Sequence, residues 1–403
     1  MTVNYRKDRI LVPASELQPG AVDRLNRVLE EAGLGRPLRQ PEGSTPAVGA
    51  SALAALPVTG ADPMAIRDVV RAYAQGESAG LPTVALDIPY SAGTVDSGTF
   101  FFAAAGKKSG HGTAAWLPAP AEQMPANPPW PQSTRHQVIA LLDSGVQQHD
   151  WLPAGQPPFF VDATEYGWPE PELPNPPKPP EESPLGTHWG HATFLAGLIR
   201  MTAPDAQVVS MRVMNAAGHV SDDHLIHALH WLAENQDTIR TNVVLMAFGR
   251  HRDEPDDHGL DRVRDAISRL AQREIKIVAS AGNDGSAQPV YPAAFAVEPS
   301  LSASVVSVGA LSSPTQWAPF SDYGPWVREA RKGTGIISVL PEVNASAGKQ
   351  QVMDEAFGPL DMKVTRDGFA WWSGTSFAAA IYAGQLASQL PGSQGLPEPS
   401  ARP

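Results

Sequence analysis

The chain has 403 residues, 42 acidic against 30 basic, for a formal net charge of −12, and it has no cysteine. That length suggests about two to three domains of roughly 150 residues each, and the acidic balance argues against holding nucleic acid on a general basic face. Without cysteine there is no disulfide framework, no thiolate zinc site and no cysteine nucleophile. The first 17 residues mix Arg6, Lys7, Asp8, Arg9 and Glu16 with short apolar steps and lack the apolar core of a secretory signal. No window reaches 18 apolar residues without charge or proline, so no membrane span is expected and a cytoplasmic location is the default.

In chain order, Arg9–Pro13 reads as a strand. Val22, Leu25, Val28 and Leu29 fall at helical spacing over 22–32, closed by Gly33. Arg36–Gln40 and Ala52–Val58 read as two strands around a Gly/Ser/Pro turn. Asp62-Pro63 opens a second helix with Ile66, Val69, Val70 and Tyr73 on one stripe, and Thr83–Ile88 closes as a strand. The order β-α-β-β-α-β is a split βαβ, ferredoxin-like arrangement for residues 1–90, a small α+β domain. Proline, 40 of 403 residues, then clusters at 118–131 and 153–184. The first cluster falls in a Pro/Gly-rich linker over 91–135, and the second reads as a long surface loop, since such runs continue neither a helix nor a central strand.

From His136 apolar strands alternate with helices: Gln137–Leu142, Gln207–Val213, Asn242–Phe248, Ile275–Ser280 and Ser304–Gly309, with helices at about His191–Met201, Asp222–Asn235 and Leu260–Arg273. Unbroken apolar runs suit strands buried on both faces of a parallel sheet, an α/β fold with helices on both sides. Reactive groups on such a sheet belong at strand carboxyl ends and helix starts.

Three windows stand at such places. Asp143 ends the run 138–142, His191 opens the helix of Gly190-His191-Ala192-Thr193, and Ser376 follows Gly374-Thr375 at a helix N-terminus. Alone, each has an ordinary reading: a turn carboxylate, a structural histidine, an N-cap hydroxyl. Together they supply what a serine nucleophile needs, an imidazole to take its proton and a carboxylate to orient that imidazole. Asn283, in Ala281-Gly282-Asn283-Asp284-Gly285 after a strand, is suited to donate its amide to a developing oxyanion.

The order Asp…His…Ser with these motifs resembles the subtilisin-like serine peptidases, the subtilases, across roughly His136 to Leu390. Tyr291-Pro292-Ala293 and Phe320-Ser321-Asp322-Tyr323-Gly324-Pro325 resemble the family as well. The histidine motif departs at Ala192 and Phe194, and the serine motif ends in Ala380 where the family has proline. The resemblance implies a subtilisin-like parallel sheet over 136–391, a flexible tail over 392–403, and an endopeptidase in which Ser376 attacks, His191 moves the proton, Asp143 orients His191 and Asn283 holds the oxyanion. It implies substrate contacts from Ala247, Phe248, Gly249, Ala281 and Gly282, with Ala247 where the family usually has serine. The expected partner is a polypeptide substrate, with neither nucleic acid nor membrane. No cofactor is required, and the structural calcium that subtilases often bind has no assignable ligands here. The rival reading is a catalytically silent peptide-binding module on the same scaffold.

Two histidine groups are set aside. His111-Gly112-Thr113 precedes Asp143 and lies in a Gly/Ala/Lys segment, and His224, His227 and His230 read as surface histidines of a helix rather than metal ligands. For residues 1–90 two roles stay open: a pro-segment that acts as intramolecular chaperone and inhibitor, or a permanent accessory domain.

Overall fold

Arg9–Pro13 (β1) is the middle strand of an antiparallel sheet, with Leu53–Pro57 (β2) on one side and Ala85–Leu86 (β3) on the other. The computed structural model describes residues 6–39, 53–76, 81–86, 90–91, 117–118, 126–129, 135–152, 158–171, 173, 188–215, 218–252, 257–341, 350–354, 358–362, 368–391, 393–394 and 396. The helix Ala21–Glu31 (α1) buries Val22, Leu25, Val28 and Leu29, the stripe expected from their spacing. Pro63–Gly76 (α2) starts where Asp62 Oδ1 accepts the Met64 N–H at 2.9 Å, a side-chain cap ahead of a first-turn proline. Ile10, Val12, Leu25, Leu29, Leu56 and Ile66 close the core. The strand expected at Arg36–Gln40 is reduced to a single bridge, Leu38 to Val58. The Asn26 amide takes both the N–H and the carbonyl of Leu38, at 3.0 and 2.9 Å, so a ladder has no free edge there.

This first unit gathers residues 1–89 with 221–231 and 252–267. The latter two stretches hold most of the helices Asp222–Glu234 (α4) and His258–Ala271 (α5). The histidines of α4 are not the surface groups expected of them. His230 is 2% exposed, and beside His224 the Arg9 guanidinium meets Asp223 at 3.6 Å. Burial pulls the His224 imidazole below its ordinary range.

The second unit, residues 90–220, 232–251 and 268–403, is built on an eight-stranded sheet. In chain order its strands are Val138–Asp143 (β4), Phe160–Asp162 (β5), Gln207–Arg212 (β6), Val243–Met246 (β7), Lys276–Ser280 (β8), Val305–Ser313 (β9), Gln316–Trp317 (β10) and Glu329–Lys332 (β11). They lie in the order β5-β6-β4-β7-β8-β9-β10, with β11 also along β9, and every pair but β9–β10 is parallel. The five expected strands are all present, their side chains buried along β4, β6 and β7 as two covered faces require.

Two helices are apolar nearly all round and run through the core. They are His191–Thr202 (α3), buried from His191 to Arg200, and Thr375–Gln389 (α6). Phe194 and Leu198 of α3 meet Phe377, Ala380 and Ala383 of α6 in one cluster with Ile139, Val208 and Val243 of the sheet. Gly384 of α6 lies so close to α3 that a Cβ there would run into Thr202.

Three expectations about connecting segments change. The proline-rich stretch read as a surface loop contains β5, which joins the sheet edge with Phe160 beside Val208. Its prolines flank the three residues and leave their amides free to pair. In the expected linker, Leu117–Pro118 pairs with Trp371 and Ala370, and Tyr90–Ser91 pairs with Val220 and His219. In the expected tail, Ser393–Gln394 pairs with His136 and Arg135, and the Leu396 N–H donates to Gln207 Oε1 at 2.9 Å. The stretches Thr99–Phe102 and His111–Thr113 lie outside the described residues. Among the described residues no helix is long and apolar enough to cross a membrane.

Candidate active site

β4 ends on Asp143, at the carboxyl end of the sheet, and its carbonyl accepts the N–H groups of Val213 and Met214 at 2.9 and 3.1 Å. The Asp143 side chain, 0% exposed, takes the Ser144 N–H at 2.8 Å and sets both oxygens on His191 Nδ1, at 2.9 and 3.0 Å. A carboxylate can only accept, so Nδ1 carries the hydrogen and the lone pair is left on Nε2. His191 opens α3 after Gly190 at φ 76°, where a Cβ would press on Leu340 and Pro341. Ser144 Oγ accepts the Ala192 N–H at 3.1 Å, so the residue after the carboxylate caps the helix that carries the imidazole. Around the ring stand Trp372 at 5.4 Å, edge-on, His188 at 5.5 Å and Phe377 at 5.7 Å between centroids, leaving His191 2% exposed.

Ser376 sits in the first turn of α6, 2% exposed. Its hydroxyl donates to the Ala247 carbonyl at 3.0 Å, and it makes no hydrogen bond to His191. The structure therefore joins Asp143 to His191 and leaves the serine turned to the end of β7.

Asn283 lies in the loop after β8. Its Oδ1 accepts both the Thr375 N–H and the Thr375 hydroxyl, each at 2.9 Å. A backbone N–H can only donate, so the amide orientation is fixed and Nδ2 is its donor end. Thr375 Oγ1 in turn accepts the Gly282 N–H at 3.2 Å. Thr375 is a residue whose role the sequence reading passed over. It lies next to Ser376, and a threonine ahead of a helix-start serine is the signal that could have drawn attention to it.

Of the expected substrate contacts, Ala247 supplies the carbonyl that holds Ser376, while the side chains of Ala247, Phe248 and Ala281 are 0% exposed and face the interior. Val290 packs against both glycines: a Cβ at Gly249 would run into one of its methyl groups, and a Cβ at Gly282 would meet Asp322 Oδ2 first and the other Val290 methyl next, a contact that the motif gave no sign of.

No group of three or more His, Asp or Glu side chains that could hold a metal ion occurs among the described residues, so no ligand set is assigned to calcium or to the histidines of α4.

The family model described as the subtilase family matches residues 134–395. The minor extracellular protease Epr of Bacillus subtilis (strain 168) is 29% identical over 210 residues, half of this chain and 27% of that protein. Subtilisin Savinase of Lederbergia lenta is 24% identical over 212 residues, again half of this chain and 66% of that protein. The chain therefore spans less than two thirds of the length of either relative. A cold-adapted subtilisin-like serine proteinase of known structure superposes with a TM-score of 0.43 at 20% identity, over 62% of this chain and 74% of its own. The expectation of a cytoplasmic location gains nothing from these relatives, one of which is named as extracellular. With the family model covering well over half of its length, the chain belongs to the subtilase family.

Proposed function

We propose that the protein is a serine endopeptidase that hydrolyses peptide bonds through an acyl-enzyme. The observation that carries this reading is the buried Asp143 carboxylate holding His191 Nδ1 with both oxygens, which leaves Nε2 as a base beside the start of the helix that bears Ser376. Ser376 turns from the Ala247 carbonyl, gives its proton to His191 Nε2, and its Oγ bonds to the substrate carbonyl carbon. The carbonyl oxygen takes the charge and is met by Asn283 Nδ2, aided by the N–H groups at the start of α6. Collapse breaks the C–N bond, and the departing amine takes the proton from His191. Water, deprotonated by His191, then attacks the acyl carbon, and the acid product leaves as Ser376 regains its proton. A silent binding module is not favoured, because all three groups are present. A fluorophosphonate probe should label Ser376, and Ser376→Ala should abolish labelling and lower peptide cleavage by about 10⁴- to 10⁶-fold. Labelling at another serine, or an active alanine variant, overturns the reading.

For residues 1–90 the favoured role is that of a pro-segment, an intramolecular chaperone and inhibitor. Its support is that residues 1–89 group with 221–231 and 252–267, and that Arg9 meets Asp223 of α4 at 3.6 Å. A sheet of many non-local parallel pairings folds slowly, the physical reason such a partner is useful. Residues 136–403 should refold and cleave poorly alone, gain activity on refolding with residues 1–90, and be inhibited by excess of them. Equal activity without them sinks the role.

A further inference from the structure

Two loops meet behind the oxyanion side of the site, 282–286 after β8 and 320–323 after β10, and they are stitched together along their length. The Asp322 N–H donates to the Gly282 carbonyl at 3.0 Å, the Gly285 N–H to the Phe320 carbonyl at 2.7 Å, and the Tyr323 N–H to the Ser286 carbonyl at 2.9 Å. Between these bonds lies one side chain. Asp322, 0% exposed, accepts through Oδ1 the N–H of Asp284 at 3.2 Å and that of Ser286 at 2.7 Å. Its Oδ2 is buried without a hydrogen-bond partner among the described residues and lies against the α-carbon of Gly282. The two residues flanking Asn283 are therefore both set by Asp322, Gly282 through its carbonyl and by close approach, Asp284 through its amide.

We infer that Asp322 is a positioning residue for the oxyanion donor: its carboxyl holds the amides of Asp284 and Ser286, just after Asn283, and packs against Gly282, just before it, so that the Asn283 amide faces the reacting carbonyl. The inference rests on the peptidase reading above. Thr375 fixes the side chain of Asn283 from the front, and Asp322 fixes its main chain from behind. Loss of Thr375 would free the amide to turn, whereas loss of Asp322 would let the whole loop shift away from Ser376. A shift of that kind weakens a bond that matters only in the transition state and leaves ground-state binding in place.

Burial pushes the Asp322 carboxyl up to about 7, the nearby Asp284 adding to the rise, while the two backbone N–H bonds and His251 work against it. The other titratable groups facing it are Asp284 and His251, paired with each other at 3.5 Å near the protein surface. The sign for stability follows: between the ordinary carboxylate value of 3.8 and about 7 the folded chain keeps a proton that the unfolded chain has released, so this group's contribution falls as pH rises through that window.

The experiment compares Asp322→Ala and Asp322→Asn with the native full chain, measuring kcat and KM on one peptide substrate, thermal midpoints and fluorophosphonate labelling. Asparagine keeps an oxygen where Oδ1 stands, so Asp322→Asn should retain kcat within a few-fold and flatten the loss of stability between pH 4 and 7. Asp322→Ala should lower kcat by roughly 10- to 100-fold, short of the 10²–10³ for losing an oxyanion donor outright, with KM within about twofold. If the alanine variant does not fold, Asp322→Ser is read in its place, its shorter hydroxyl expected to fall between alanine and asparagine. A native chain that cleaves no peptide and takes no label overturns the peptidase reading itself. An active native chain with Asp322→Ala unchanged, with the loss in KM alone, or with asparagine as damaging as alanine, overturns this inference only.

Discussion

The two sides of the site are built in different ways. On the Asp143–His191 side two charged or chargeable side chains bond directly, buried, each at the end of a regular element: a strand's last residue and a helix's first. On the Asn283 side there is one neutral amide on a loop, and what holds it is a set of backbone bonds contributed by Thr375 and by the 320–323 segment. The first side concentrates its function in one pair, so removing either partner leaves a buried group uncompensated. The second spreads its function over several weak contacts, so single losses there are graded.

That contrast is open to breakage. Asp143→Asn should lower kcat by about 10⁴-fold, because an amide in that place can present its NH₂ to Nδ1 and turn the imidazole to the tautomer that cannot take the serine proton. Steady-state kinetics on a peptide substrate reads it, and a loss under tenfold would remove the pair from the reaction. Asn283→Ala should cost roughly 10²–10³ in kcat with KM little changed, since the donor is felt in the transition state. If Asn283→Ala proved the more damaging of the two, or acted on KM alone, the assignment of a concentrated and a distributed side would be reversed.

How much of this was legible in the sequence follows the same division. The strands of the parallel sheet showed as unbroken apolar runs, and β4, β6 and β8 fall within a residue or so of where those runs place them. Asp143, His191 and Ser376, the residues proposed to react, each stand in a short contiguous motif, so local pattern alone brings them forward. Asp322 is 38 residues from Asp284 and 36 from Ser286. The segment Phe320-Ser321-Asp322-Tyr323-Gly324 was visible as a family-like stretch, but nothing local says that its carboxyl reaches back to another loop. Val290 escaped for a similar reason, its meaning lying in two glycines 41 and eight positions away. β5 was hidden by composition: prolines on both sides mark a loop, and only the edge of the sheet supplies the partner that makes Phe160–Asp162 a strand. The bridge at Leu38 shows the opposite case, a β-like run cut short by one asparagine side chain.

The close approach of Gly384 to Thr202 lies far along both helices from their reactive ends. Gly384 is eight residues beyond Ser376 and Thr202 eleven beyond His191, about 12 and 16 Å of helix at 1.5 Å per residue. His191 and Ser376 thus stand at the starts of two helices packed along their length, Phe194 meeting Phe377 near the starts and Gly384 meeting Thr202 further along. Their relative placement is therefore a property of the core, open to change by a methyl group added at Gly384, well away from either side chain.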